Sequence, residues 1–123
     1  MDVVEVIDRY CAVWSDPDSS RRAALLAQVW TERATYTDPT VHTTGAAELL
    51  AHIERIMTKR PGGKVVRTSE LDVHHGVARF GWKALDATGA TLRDGIDLVV
   101  LSKDGKIERI VGFFGELVPL RAA

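Results

Sequence analysis

Hydrophobic positions in the first half of the chain repeat with the period of a helix. Val3, Ile7, Tyr10 and Trp14 are spaced four, three and four residues apart, which places them on one face of a helix over residues 2–15. The same spacing predicts two further helices, over residues 20–30 (Leu25, Leu26, Val29, Trp30) and 46–59 (Leu49, Leu50, Ile53, Ile56, Met57). Three helices are therefore expected before most of the strands.

The remaining segments alternate with the period of two that is typical of strands. A short first strand is predicted over residues 33–38, and Pro39 ends it because proline cannot donate to a ladder. Four more strands are predicted over residues 64–74, 77–85, 91–102 and 106–118. Helices followed by an antiparallel meander predict an α+β fold, with the helices packed on one face of a curved sheet.

The strand near residue 97 is apolar on both of its faces. Ile96, Leu98 and Val100 share one face, whereas Val99 shares the other with Asp97. An antiparallel strand normally keeps one face polar and exposed to water. We therefore expect one face to cover a pocket beneath the helices and the other to pair with a second subunit, giving a homodimer through the sheet.

Composition limits the class of protein. With 123 residues, 46% of them apolar and 27% charged, the chain predicts one domain over residues 1–123 with a real core. The net charge is −1 without a Lys/Arg stripe, so no nucleic acid partner is expected. We expect no membrane partner and a cytoplasmic location, because neither a signal sequence nor a run of roughly 20 apolar residues is present. Cys11 is the single cysteine, which excludes an intramolecular disulfide.

Three polar residues interrupt apolar patterns. Tyr10 lies in the stripe of the first helix, Asp38 ends the first strand, and Asp97 lies inside an apolar strand. A buried carboxyl group finds donors or takes up a proton, and two carboxyl groups in different surroundings can form an acid/base pair. Each residue also has a structural interpretation. Tyr10 would be a core tyrosine, Asp38 a turn residue, and Asp97 a partner of Arg93 or Arg109.

Three blocks of sequence carry a resemblance to a known family. They are Arg9-Tyr10 followed by Ala12; Ala34-Thr35-Tyr36-Thr37-Asp38-Pro39 followed by Thr44-Gly45; and Ile96-Asp97, Asp104-Gly105-Lys106 and Phe113-Phe114-Gly115-Glu116. With these blocks the chain resembles the ketosteroid isomerases and the SnoaL-like branch of the nuclear transport factor 2-like (NTF2-like) superfamily.

The resemblance implies a fold and a site. The fold would be an NTF2-like (cystatin-like) cone, in which three N-terminal helices pack on a curved mixed or antiparallel sheet around a central pocket. Asp38 would be the base that moves a proton on a small apolar carbonyl compound, and Tyr10 and a protonated Asp97 would donate hydrogen bonds to its oxygen. The handling of a carbonyl by such donors is a general strategy for stabilising an oxyanion. The pocket would be lined by Trp14, Phe80, Trp82, Val99 and Phe114.

Two other functions remain open at this point. One is a SnoaL-like polyketide cyclase or lyase that also uses Asp38, and the other is a non-catalytic lipophile-binding or protein-association module. No cofactor and no metal are expected, because the four histidines, His42, His52, His74 and His75, lack the spacing of a metal motif. The limonene-epoxide-hydrolase branch needs a carboxylate where this chain has Gly112, which argues against epoxide hydrolysis.

Overall fold

Residues 1–122, the part of the chain that the computed structural model describes, form three helices and seven strands. The helices are α1 (Val3–Val13), α2 (Ser19–Val29) and α3 (Gly45–Lys59). The strands are β1 (Trp30–Asp38), β2 (Val41–Thr44), β3 (Lys64–Arg67), β4 (Asp72–His74), β5 (Val77–Leu85), β6 (Thr91–Leu101) and β7 (Ile107–Phe114). The α+β architecture predicted from the sequence is confirmed.

Local side-chain contacts fix where α1 and α2 begin. Asp2 caps α1 by accepting a hydrogen bond from the Glu5 amide at 2.9 Å, and Asp18 caps α2 by accepting one from the Arg21 amide at 3.0 Å. Such caps satisfy amides that have no partner inside the helix. The predicted end of α2 was wrong by one residue, because Trp30 already has extended backbone angles and begins β1.

The sheet is mixed, with the strand order β2-β1-β7-β6-β5-β3, and β4 also pairs with β5. Strands β5, β6 and β7 form the predicted antiparallel meander. Strand β1 instead joins the sheet in parallel to β7, where Thr35 pairs with Arg109. This pairing brings the end of β1 next to the end of the last strand, and it gives the sheet its mixed character.

The strands differ from the sequence prediction at several points. Strand β1 was predicted over residues 33–38 and begins three residues earlier, at Trp30. The strand predicted over residues 64–74 is divided into β3 and β4, because the segment between them leaves the ladder and the Ser69 hydroxyl accepts a hydrogen bond from the Gly81 amide at 2.8 Å. Strand β2 was not predicted, since four residues give too short a pattern. Strand β7 ends at Phe114 rather than at residue 118, because Gly115 turns the chain with φ of 75°.

The core lies between the helices and the inner face of the sheet. Its fully buried side chains come from all three helices and from the inner strands, and they include Ile7, Val13, Leu26, Leu49, Ile53, Ile107 and Ile110. The outer face of the curved sheet carries exposed apolar side chains instead, namely Ile96, Leu98, Val100 and Phe113. Across residues 1–122, each helix is too short or too polar to traverse a lipid bilayer.

Candidate functional site

A cavity of about 350 Å³ lies between the helices α1 and α3 and the inner face of the sheet. Its wall contains all but one of the side chains that the sequence placed at the site, namely Tyr10, Trp14, Asp38, Phe80, Trp82, Asp97 and Phe114. Val99 is the exception. It is buried in the core, where it pairs with Ala78 and Ile110, two residues further along β6 than Asp97.

Asp97 lies on the inner face of β6 and is only 5% exposed. The indole Nε1 of Trp82 donates a hydrogen bond to its Oδ1 at 2.9 Å. Burial, reinforced by the charge of Asp38, raises the pKa of Asp97 to about 7, although the Trp82 hydrogen bond opposes this shift. Among the described residues no ion pair joins Asp97 to Arg93 or Arg109, so the structural interpretation of Asp97 as a salt-bridge partner was wrong.

Asp38 ends β1, and its two oxygens have different partners. Oδ1 accepts hydrogen bonds from the Thr40 amide and hydroxyl, both at 2.7 Å, and from the Val41 amide at 3.1 Å. Oδ2 accepts one from the hydroxyl of Tyr36 at 2.7 Å. A carboxyl group that accepts in all four bonds has the bonding pattern of a carboxylate. Asp38 therefore shapes the turn after β1 with one oxygen and lines the cavity as well.

Gly112 separates the two carboxyl groups. It faces Asp97 across the β6–β7 ladder, and a Cβ at position 112 would lie 2.9 Å from Oδ1 of Asp97 and 3.5 Å from the Cβ of Asp38. Because β7 lies between β1 and β6, the backbones of Asp38 and Asp97 are two strand spacings apart, roughly 10 Å. The missing side chain at position 112 leaves space between the two acids.

Tyr10 approaches the cavity from helix α1. Its side chain is 2% exposed, and its ring stacks on Trp30 with centroids 5.9 Å apart and an interplanar angle of 7°. Burial, and secondarily the nearby Asp97 carboxyl, raise the pKa of Tyr10 well above its ordinary value. The phenol consequently stays protonated at neutral pH, and its hydroxyl can act as a hydrogen-bond donor.

Two further cavity residues, Tyr36 and His52, were not included in the sequence prediction of the site. Tyr36 lies two residues before Asp38 on β1, and residues two apart on a strand share a face, so the sequence already placed both side chains on one face. Burial, followed by the hydrogen bond to Asp38, raises the pKa of Tyr36. Burial and this hydrogen bond therefore keep the phenol of Tyr36 neutral, as a donor to Asp38.

His52 lies on the buried stripe of α3 between Leu49 and Ile53. Its ring packs edge-on against Trp14, with centroids 5.9 Å apart, and beside Tyr36 at 6.2 Å. Burial lowers the pKa of His52, so the imidazole is neutral at pH 7. Its Nε2 is buried and makes no hydrogen bond to any described residue.

The remaining polar members of the wall are Thr40, whose hydroxyl donates to Asp38, and the exposed cations Lys59, Arg60 and Arg93. Within residues 1–122, no group of three or more His, Cys, Asp or Glu side chains is arranged to hold a metal ion. The cavity thus offers neutral donors, two acids and three cations in an otherwise apolar wall. This set can orient a polar organic molecule and can move a proton on it.

Similarity to solved structures identifies the class to which this fold belongs. An NTF2-like protein of unknown function from Exiguobacterium sp. 255-15 matches with a TM-score of 0.69 at 18% identity, over 91% of this chain and 99% of that one. A proposed polyketide cyclase from Sinorhizobium meliloti matches equally well, with a TM-score of 0.69 at 15% identity over 91% and 99%. These likenesses show an NTF2-like fold.

A nearer relative shows the family. A protein from Agrobacterium tumefaciens strain C58, described as a proposed isomerase of the SnoaL-like family, matches with a TM-score of 0.85 and 32% identity, over 92% of this chain and 97% of that one. The chain therefore belongs to the SnoaL-like family, as its sequence blocks predicted. No family model and no curated protein matches it.

Proposed function

We propose that this protein binds a small apolar carbonyl compound in the cavity and moves a proton on it. Asp38 is the base, and Tyr10 and the protonated form of Asp97 are the donors to the carbonyl oxygen. One observation carries the proposal: two carboxyl groups border one cavity in opposite surroundings. Asp38 accepts four hydrogen bonds, whereas Asp97 is buried with a single donor and a pKa of about 7.

The reaction would proceed in two balanced steps. Asp38 removes a proton from a carbon next to the carbonyl, and the electron pair of the broken C–H bond moves onto the carbonyl oxygen. The hydroxyl of Tyr10 and the carboxylic acid of Asp97 donate hydrogen bonds to this oxyanion. Asp38 then returns the proton to a different carbon of the conjugated system, so the product is an isomer of the substrate.

The surroundings of Asp97 suit this role. A pKa near 7 leaves a large share of the side chain protonated at neutral pH, and only the protonated form can donate to an oxyanion. As the pH rises above about 7, the acid ionises and this donor is lost. We therefore expect activity to decline on the alkaline side of pH 7, about tenfold per unit where catalysis depends on the protonated form.

The test is an isomerisation assay. A β,γ-unsaturated ketosteroid is supplied, and the absorbance of the conjugated enone is followed for the wild type and for Asp38→Asn. We expect Asp38→Asn to lower kcat by about 10²-fold or more, as for removal of a general base. Asp94→Asn is the matched control, since Asp94 is exposed on the outer face of β6. No activity in the wild type, or activity that survives in Asp38→Asn, would refute the isomerase.

A polyketide cyclase or lyase is the second candidate. Removal of a proton from a carbon acid would begin that reaction too, and Asp38 would again be the base. The name of the Sinorhizobium meliloti neighbour favours it, while that of the Agrobacterium tumefaciens relative favours an isomerase. A panel of carbonyl substrates separates the two. If a phenol that mimics the oxyanion fails to bind at millimolar concentration, a non-catalytic lipophile-binding or protein-association module becomes the better description.

We further propose that two copies of the chain pair through the outer face of the sheet. Ile96 and Phe113 are cross-strand partners there and are 43% and 56% exposed, and Leu98 and Val100 extend the same apolar surface. Covering such a patch is favourable in proportion to its area. Light scattering at micromolar concentration should give the mass of a dimer for the wild type and of a monomer for Leu98→Lys. A monomeric wild type would refute the dimer.

A further inference from the structure

The cavity wall carries three cations that make no ion pair with the described residues. Lys59, Arg60 and Arg93 line the cavity and are exposed, and none of them takes part in an ion pair among residues 1–122. Four of the nine other arginines of the chain are paired with carboxylates within 4 Å, namely Arg21, Arg22, Arg67 and Arg79. The only carboxyl groups of the described wall are Asp38 and Asp97, so positive charge exceeds negative charge around the cavity.

Arg93 is the most informative of the three cations. It precedes Gly95 and Asp97 on β6 by two and four residues, and the period of two therefore places it on their inner face. Its guanidinium carbon lies 4.1 Å from the centroid of the Phe114 ring. A cation held over an aromatic face is attracted by the ring and loses less freedom when a ligand arrives. Arg93 is thus oriented before any ligand binds.

A chain of aromatic contacts in the cavity wall connects Arg93 to Asp97. Phe114 packs edge-on against Trp82 with centroids 5.9 Å apart, and Trp82 donates its hydrogen bond to Asp97. Arg93 and Asp97 are four residues apart on one strand, which corresponds to roughly 13 Å between their Cα atoms. A ligand that reaches both needs an apolar body about two rings long, with a polar group at each end.

Lys59 and Arg60 add to the charge from another element. Lys59 ends helix α3 and Arg60 caps it, and the helix dipole by itself favours cations there, so two positive charges at this point would not alone indicate a ligand. Their location does indicate one, because both side chains lie in the wall of the cavity to which Arg93 belongs. Three cations from a strand and a helix end therefore surround one apolar cavity, and clustered charge of one sign concentrates ligands of the opposite sign.

We propose that the natural ligand is an organic anion: an apolar carbonyl compound that carries a carboxylate. Arg93, together with Lys59 and Arg60, binds the carboxylate, and the carbonyl oxygen reaches Tyr10 and Asp97. The carbonyl end rests on the proposed function, and the anionic end goes beyond it. The planar guanidinium of Arg93 matches the two oxygens of a carboxylate, which a neutral steroid does not possess.

A matched pair of ligands tests this proposal. 6-Hydroxy-2-naphthoate and 6-hydroxy-2-naphthamide share a two-ring body and a phenol, and they differ only in whether the far end is charged. Calorimetric titration at low ionic strength should show the naphthoate binding about tenfold more tightly than the naphthamide. The preference should fall toward unity in 1 M salt, where the screening length is about 3 Å.

Substitutions locate the charge that causes the preference. Arg93→Gln should reduce the preference for the naphthoate several-fold, because it should lower naphthoate affinity more than naphthamide affinity. The triple variant Lys59→Gln/Arg60→Gln/Arg93→Gln should abolish the preference, even if one cation substitutes for another. Arg33→Gln is the matched control, because Arg33 is an exposed arginine of β1 outside the cavity wall, and its loss should change neither affinity.

The two proposals fail in different ways. Tyr10→Phe should weaken both ligands equally, because both present the same phenol to the oxyanion site. Equal affinities for the two ligands, combined with sensitivity to Tyr10→Phe, overturn the anionic ligand and keep the proposed carbonyl site. A preference that depends on Arg93, combined with affinities for both ligands that Tyr10→Phe leaves unchanged, keeps the anionic ligand and overturns the oxyanion site. If neither ligand binds at millimolar concentration, both proposals are overturned.

Discussion

The two faces of strand β6 differ in burial in the opposite sense from what the polarity of their residues would predict. The inner face carries the polar residue Asp97 and is buried, whereas the outer face carries Ile96 and Leu98, which are each 43% exposed. An isolated domain would gain by exchanging them. The protein instead buries an acidic side chain and exposes an apolar surface to water. Each is disfavoured alone, and each would be explained by one of the two proposed binding events, a ligand inside and a second subunit outside.

The largest test of this contrast compares two phenylalanines. Phe80 on the inner face of β5 is 2% exposed, and Phe113 on the outer face of β7 is 56% exposed. We expect Phe80→Ala to lower the free energy of unfolding by about 4 kcal/mol, since it removes buried area and leaves a void. Phe113→Ala should lower it by less than about 1 kcal/mol in the monomer. Urea unfolding in dilute solution measures both, and equal losses would contradict the assignment of the faces.

The next test uses the pH dependence of stability. Asp97 has a pKa of about 7 in the folded protein against 3.8 ordinarily, so between these values the folded state binds one proton more than the unfolded chain. The contribution of Asp97 to stability is therefore complete at low pH and is lost as the pH rises through 7. The loss is about 1.4 kcal/mol per pH unit and levels off at pH 7, so it is about 3 kcal/mol between pH 5 and pH 8.

Asp97→Asn cannot ionise and should lack this loss. Urea unfolding at pH 5 and pH 8 should show the difference in stability between Asp97→Asn and the wild type moving in favour of the variant by about that amount. The control is Asp94→Asn, which removes the neighbouring carboxyl group on the exposed outer face. Its stability should follow that of the wild type across the range. If Asp97→Asn does so as well, Asp97 titrates normally and the inner face is wet.

The smallest effect is expected from the indole that bonds to Asp97. The Trp82 hydrogen bond lowers the pKa of Asp97, and Trp82→Phe removes the N–H while keeping an aromatic ring. We expect the pH at which the stability loss levels off, which marks the pKa of Asp97 in the folded protein, to rise above 7 in Trp82→Phe. The same unfolding series, extended to pH 9, measures it. A loss that levels off at a lower pH than in the wild type would mean that water replaces the indole as a stronger donor.

Local patterns predicted much of the architecture, because they reflect which face of an element is buried. The period of α1 and of α3, and the alternation along β5, were sufficient to locate these elements. The parallel pairing of β1 with β7 was not predictable in this way, since no local pattern records which distant strand is the neighbour. The division at Ser69 was missed for a related reason: its hydroxyl bonds to Gly81 on another strand.

The candidate site shows the same division. Tyr10, Asp38 and Asp97 were recognisable because each interrupts an apolar pattern, and all three line the cavity. The partners of the two acids were not recognisable. That Tyr36 donates to Asp38 and Trp82 to Asp97 depends on side-chain direction and on strand register. The cluster of Lys59, Arg60 and Arg93 was still harder to predict, because it combines a helix end with a strand that lies far from it in sequence.

The parallel union of β1 and β7 also governs when the site can exist during folding. Asp38 precedes most of the sheet in sequence, yet the strand beside it is the last to be synthesised. Loops that must close over long sequence separations close late and slowly. In a nascent chain from which β7 is still missing, Asp38 would lie on a strand that lacks its neighbour in the sheet. Assembly of the two acids around Gly112 would thus come only after β7 has been synthesised.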